Sequence, residues 1–131
     1  MKIVFDSNIF ISAFVVPKSQ AEKAIFKVID ENVSLMISKE IISEVLRVLA
    51  GKFKREKEAL SRTAVYLSDI AGIVRSNRKI KVLKDEPDNR ILECAVAGKA
   101  DLIVTGDKEM LRLKEFEGIK IISLKEYLEQ Y

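Results

Sequence analysis

The sequence contains no histidine, no tryptophan and a single cysteine, Cys94. Without histidine it lacks the side chain that titrates near neutral pH and the commonest nitrogen ligand for metals. One cysteine excludes an intrachain disulfide and a cysteine-rich zinc site. Cys94 is expected to be a small buried hydrophobe. Any metal centre must therefore rest on oxygen ligands, a set that suits hard cations such as Mg²⁺ or Mn²⁺. Prolines are limited to Pro17 and Pro87 and the glycines are scattered, so no linker, repeat or low-complexity segment is visible. No stretch approaches the ~20 apolar residues of a membrane span. The opening Met1–Asp6 reaches an acid too soon for a signal peptide. The expectation is a cytoplasmic protein with no membrane partner.

The chain is 131 residues long, a length that fits one domain over 1–131. Its 48% apolar content is enough for one packed core. The net charge of +3, from 23 basic and 20 acidic residues, is too balanced to indicate nucleic acid by itself. Distribution is more telling. Lys52, Lys54, Arg55 and Lys57 cluster mid-chain, and Arg75, Arg78, Lys79, Lys81 and Lys84 form a second basic stretch. Such runs are usually solvated faces; phosphate contact is the better reading only where something else points to nucleic acid. Lys, Glu and Ile are abundant, a bias compatible with a thermophilic source.

Short apolar runs alternate with helical periodicity, which predicts an α/β domain with a largely parallel sheet. Strands are expected at 2–5, 33–37, 101–104 and 119–122. A further strand falls near Ile73–Arg75 or Ile80–Leu83. Helices are expected at about 7–14, 19–31, 54–71, 87–98 and 124–131, with a short one after Asp107. Ser38 is suited to cap a helix carrying Ile41, Ile42, Val45 and Leu49, and Gly51 to stop it. Pro87 suits a first helical position.

Against this layout four carboxylates stand out. Asp6 directly follows the Ile3–Phe5 strand, and Asp107 follows the Leu102–Val104 strand by a Thr-Gly step. Both fall at C-terminal strand ends, where open α/β sheets bind ligands. Taken singly, each would serve equally well as a helix cap. Asp88 shares a helix face with Ile91, Leu92 and Ala95, in the middle of the apolar stripe. An ionised carboxylate there must be paired, hydrogen-bonded or metal-bound, unless it escapes to solvent from the first turn. Glu44 flanks the stripe beside Val48; alone it is an ordinary boundary glutamate, but its helix starts at the same sheet edge. Asp85 and Glu86 precede the Pro87 helix, and a cap role suits them better. Four acids in one small pocket raise one another's pKa. With no histidine and little arginine nearby, a divalent cation is the natural neutraliser.

These residues also carry a resemblance. Val4-Phe5-Asp6-Ser7-Asn8-Ile9-Phe10-Ile11-Ser12-Ala13 resembles the first motif of the PIN-domain family, an Asp then Thr or Ser then Asn after a short strand. Ser38 to Glu44 resembles the second. Asp88-Asn89-Arg90-Ile91-Leu92-Glu93-Cys94-Ala95 resembles the third, and Asp101-Leu102-Ile103-Val104-Thr105-Gly106-Asp107 the fourth. The match runs over essentially the whole chain, and it is similar to the PIN-family toxins of toxin–antitoxin systems. The resemblance implies an α/β/α sandwich and Mg²⁺- or Mn²⁺-dependent cleavage of single-stranded RNA. It implies metal ligation and catalysis by Asp6, Glu44, Asp88 and Asp107, with Asn8, Ser38 and Thr105 in support. It also implies an antitoxin partner and a homodimer. Lys52, Lys54, Arg55, Arg78 and Lys79 are the expected contacts to the RNA backbone.

Three rivals compete with this reading. The first is a non-catalytic RNA-binding or scaffold module of the same fold. The second is a small phosphohydrolase of another α/β class. A receiver-like domain wants paired acids after the first strand, and a haloacid-dehalogenase-like phosphatase wants Asp-x-Asp; here Asp6 is followed by Ser7-Asn8. The third, a DNA nuclease with the same metal chemistry, is left open by the sequence.

Overall fold

The computed structural model describes residues 1–131. Thirteen elements follow in chain order: β1 (Lys2–Phe5), α1 (Ser7–Val15), α2 (Gln20–Asp30), β2 (Ser34–Ser38), α3 (Lys39–Gly51), α4 (Lys57–Ile70), β3 (Gly72–Val74), α5 (Glu86–Ala97), β4 (Leu102–Thr105), α6 (Lys108–Leu113), β5 (Glu115–Phe116), β6 (Ile119–Ser123) and α7 (Leu124–Gln130). The strand order is β3-β2-β1-β4-β6-β5. All neighbours run parallel except β5, which returns antiparallel to β6. The expected α/β class with a mainly parallel sheet is what the chain adopts. No helix is long and apolar enough to cross a membrane.

Ile3, Val4 and Phe5 of β1 and all of β4 are buried, which requires cover on both faces of the sheet. That cover is helical: α5 packs on β1 and β2, and α7 on β4 and β6. Phe5 meets Phe10 of α1 and Tyr127 of α7 at ring-centroid distances of 5.8 and 5.9 Å, a range at which aromatic pairs attract. Tyr127 is thereby a core residue. Short polar side chains start several helices. Ser19 accepts from Glu22 N–H, Ser38 from Ile41 N–H and Ser123 from Glu126 N–H, each satisfying an orphan donor of a first turn.

The boundaries differ from expectation in several places. Gly51 does not stop α3 by turning left-handed. It is the last helical residue, and the turn is made at Lys54, whose φ is 55°. That left-handed residue also delays α4, which starts at Lys57 and not at 54. In α5, Pro87 is the second helical residue, one later than expected. Of the two candidate strands between 73 and 83, the first forms, as Gly72–Val74. The two-residue β5 carries too little pattern to be read from sequence.

Residues 75–85 contain no regular element, yet they are tied firmly to α5. Asn89, fully buried, accepts from Leu83 N–H and donates to Leu83 C=O, each at 2.9 Å. Glu93, also buried, accepts from Ile80 N–H at 2.8 Å and from Arg90 at 2.7 Å, while Arg90 donates to Ile80 C=O at 3.2 Å. Ile80 itself is buried in the core. Three side chains of one helix thus stand in for the missing ladder partners of an irregular strap. Removing the Asn89 amide leaves a backbone donor and acceptor without partners. Asn89→Ala is expected to lower the unfolding free energy by about 2 kcal/mol or more, since each stranded buried group costs about 1–3 kcal/mol. Urea denaturation measures it; a midpoint equal to wild type would show that the strap contributes nothing.

Candidate active site

The strand order places a topological switch at the centre of the sheet. From β1 the chain moves to β2 and β3 on one side, then returns to β4 on the other. The crevice outside the C-terminal ends of β1 and β4 is where such sheets bind ligands. Asp6 and Asp107 stand at that crevice, and the register Phe5↔Val104 brings their strands level there.

Asp6 is held by two bonds. Its Oδ1 accepts from Asn8 N–H at 3.1 Å, and its Oδ2 accepts from Thr105 Oγ1 at 2.6 Å. Thr105 in turn accepts from Asp107 N–H at 3.0 Å. Its one proton is therefore committed to Asp6, and both Asp6 oxygens act as acceptors. This pattern favours the ionised form. Burial works against it: Asp6 is 3% exposed, and desolvation raises its pKa despite the two bonds, with smaller contributions from Asp107 and Asp85.

Asp88 lies in the first turn of α5, 7% exposed. No protein donor reaches its carboxylate. Burial, followed by the charges of Asp6, Asp107, Asp85 and Glu44, pushes its pKa from 3.8 up to about 7. The charges of Asp6, Glu44 and Asp107, the other three carboxylates singled out in the sequence, thus act on Asp88. A fifth, Asp85, belongs with them. It was assigned to capping, but as N-cap of α5 its side chain makes no capping bond, and its charge acts on both Asp6 and Asp88. The available signal was its spacing, three residues before Asp88 across Pro87. Glu86 does not cap either; it lies inside α5 and reaches Asn89 and Arg90.

The remaining candidates divide. Glu44, on α3, is paired with Arg47 at 2.7 Å with 21% of its side chain exposed, so arginine is less sparse here than the sequence reading held. Asp107 does cap, accepting from Met110 N–H at 3.0 Å through Oδ1, which leaves Oδ2 for other partners. Asn8 is exposed and contributes its backbone. Ser38 caps α3 and touches Cys94, whose thiol burial pushes up to about 12, leaving it an inert core residue. Of the basic candidates, Arg78 is held by both carboxylate oxygens of Glu117 and Arg55 donates to Phe14 C=O. Lys52 lies over the Phe53 ring. Lys54 and Lys79 are exposed. None of these five lines the carboxylate crevice or the grooves next to it.

No group of three or more carboxylates is arranged as a ready-made metal shell. The donor set nevertheless fits a hard divalent cation: all oxygen, buried at Asp6 and Asp88, with one carboxylate lacking any protein partner. Such an ion would relieve the repulsion that raises the Asp88 pKa.

The fold agrees with comparisons to known proteins. A family model described as the PIN domain matches residues 2–109, and the chain belongs to the PIN-domain family. Its whole length is 26% identical to 92% of an uncharacterized protein of Methanocaldococcus jannaschii. Among solved structures it is similar in fold to VapBC-1 from nontypeable Haemophilus influenzae, with a TM-score of 0.68, 18% identity, and coverage of 95% of this chain and 99% of that one. It is also similar to VapBC2 from Rickettsia felis, solved bound to a DNA fragment from their promoter, with a TM-score of 0.65, 16% identity, and coverage of 94% and 98%.

The raised carboxyl pKa values have a consequence for the metal-free protein. A carboxyl whose folded pKa lies above its unfolded value keeps a proton in the folded state that the unfolded chain has already released. Stability therefore falls as pH rises through that window, which for Asp88 runs from 3.8 to about 7. Thermal unfolding in EDTA is expected to show a lower midpoint at pH 7.5 than at pH 5. Asp88→Asn should reduce that drop; a variant that loses stability in parallel with wild type would contradict the crowding of charge at Asp88.

Proposed function

We propose that this PIN-domain protein is a ribonuclease that hydrolyses phosphodiester bonds of single-stranded RNA with Mg²⁺ or Mn²⁺. The observation that carries the reading is Asp88: a nearly buried carboxylate with no protein donor, on which the charges of four other acids act. A structural role gives no reason to assemble that charge at a switch-point crevice, whereas cation binding does. Family membership supports the nuclease class.

In this reading Asp6, Asp88 and Glu44 hold the cation, and Asp107 contributes through Oδ2 or orients a water. A bound divalent ion would supply a Lewis acid for the phosphate and a nucleophile at neutral pH, which the chain's own side chains cannot supply without histidine. The protein's part is preorganisation. Asn8 N–H and Thr105 Oγ1 fix the Asp6 carboxylate against rotation. Asp107 N–H keeps the Thr105 hydroxyl aimed at Asp6 and not at the backbone. The Arg47 pair restrains Glu44 at the rim. Cation binding replaces the proton on Asp88, so affinity should rise with pH up to about neutral.

The likeness to VapBC chains supports a toxin of a toxin–antitoxin pair. On that reading an antitoxin covers the crevice in the resting complex, and the chain acts as a homodimer. Labelled single-stranded RNA incubated with Mn²⁺ tests the activity. Asp6→Asn and Asp88→Asn are each expected to lower cleavage at least about 100-fold, the scale of lost electrostatic stabilisation at one catalytic group, and EDTA to abolish it. Folded wild-type protein that neither cleaves varied RNAs nor binds Mn²⁺ in calorimetry would leave the non-catalytic module as the answer.

A further inference from the structure

A groove of about 530 Å³ lies beside the candidate active site and outside the carboxylate set. It runs between the first turn of α3 and the chain that leaves β3. Lys39, Ile42 and Ser43 form one wall, and Ile73, Arg75 and Asn77 the other. Glu40 lines both this groove and the smaller one that holds Glu44, Pro87 and Arg90, so the two share a wall residue at the start of α3. Its volume falls within the ~300–1,000 Å³ typical of small-molecule sites.

Three features of the lining define an occupant. Lys39 and Arg75 are exposed and form no ion pair. The groove also has apolar lining, with Ile73 56% exposed and Ile42 on the α3 side. Ser43 and Asn77 add hydrogen-bonding groups, while the Ser76 hydroxyl is taken up by the Arg78 backbone, and β3 is an edge strand paired only with β2. Cations and apolar side chains lining one groove with polar groups complement a nucleotide: phosphate on the charges, base face on the isoleucines, base edge on Ser43 and Asn77.

Resting on the ribonuclease reading, we propose that the α3–β3 groove seats one nucleotide of the single-stranded substrate next to the scissile phosphate. Lys39 and Arg75 hold its phosphate, and Ile42 and Ile73 take the face of its base. The groove, not the 52–57 or 78–84 basic runs, is the strand's first foothold outside the carboxylates. Its lining is sequence-tolerant in charge and selective only through Ser43 and Asn77.

The test is binding of a fluorescein-labelled single-stranded RNA decamer in EDTA, read by anisotropy over a series of salt concentrations. Cleavage by the same preparations in Mn²⁺ is scored separately. Lys39→Ala/Arg75→Ala is expected to raise Kd about 10-fold, and to make the slope of log K against log salt shallower by about 0.7 for the lost phosphate contact. Ile73→Ser should raise Kd several-fold with the slope unchanged. Arg62→Ala, an exposed cation on α4, should bind as wild type. All four positions are exposed, so the variants are expected to fold, and circular dichroism verifies it. Folded Lys39→Ala/Arg75→Ala protein with wild-type Kd and slope overturns the groove while leaving ribonuclease activity standing. Wild type that binds through the groove but does not cleave overturns the ribonuclease reading and leaves the groove.

Discussion

The site depends on the parallel pairing of β1 with β4. Those strands are remote in sequence, yet their register sets Thr105 against Asp6 and threads a single line of hydrogen bonds from Asp107 N–H through the threonine hydroxyl to the Asp6 carboxylate. Slipping the pair by one residue would turn Thr105 to the opposite face and break that line. The buried runs Ile3–Phe5 and Leu102–Val104 prevent it, because each residue on both strands is already packed. Core packing here fixes the orientation of a functional carboxylate.

Opposing tendencies meet at Asp6 and Asp88. Hydrogen bonds at Asp6 favour charge, while burial opposes it. At Asp88 burial and like charges act together, and nothing in the protein answers them. Local propensity and global packing agree almost everywhere in the chain, and disagreement of this kind concentrates where a function needs it. Asp107 shows that a helix cap and a site residue are not exclusive roles, since a carboxylate has two oxygens and capping uses one.

Much of this was legible in the sequence. The β1, β2, β4 and β6 strands are short apolar runs, and α2, α3 and α5 carry clear stripes, so their placement and the position of Asp6 and Asp107 at the C-terminal ends of β1 and β4 followed from periodicity, whereas Glu44 and Asp88 were joined to them by the family resemblance. Asp85 was missed because an acid before a helix usually caps it; only the coordinates show its side chain free of that duty. The Glu44–Arg47 pair was visible as an i, i+3 spacing but competes with solvent for the arginine. The strap of residues 75–85 has no periodicity at all. Its conformation is specified by Asn89 and Glu93, which lie in another element. The α3–β3 groove likewise joins Lys39 to Arg75 across two elements, a proximity that no local window contains.

The strap also has a mechanical meaning. Leu83 is bonded to the residue directly after Asp88, and Ile80 to the next turn of the same helix. At its far end the strap is anchored through Arg78 to Glu117, in the turn between β5 and β6. It begins at Arg75, on the lip of the groove. Through these bonds the lip of the groove and the first turns of α5 belong to one hydrogen-bonded segment, so the α5 helix and its strap form a single unit in the folded chain.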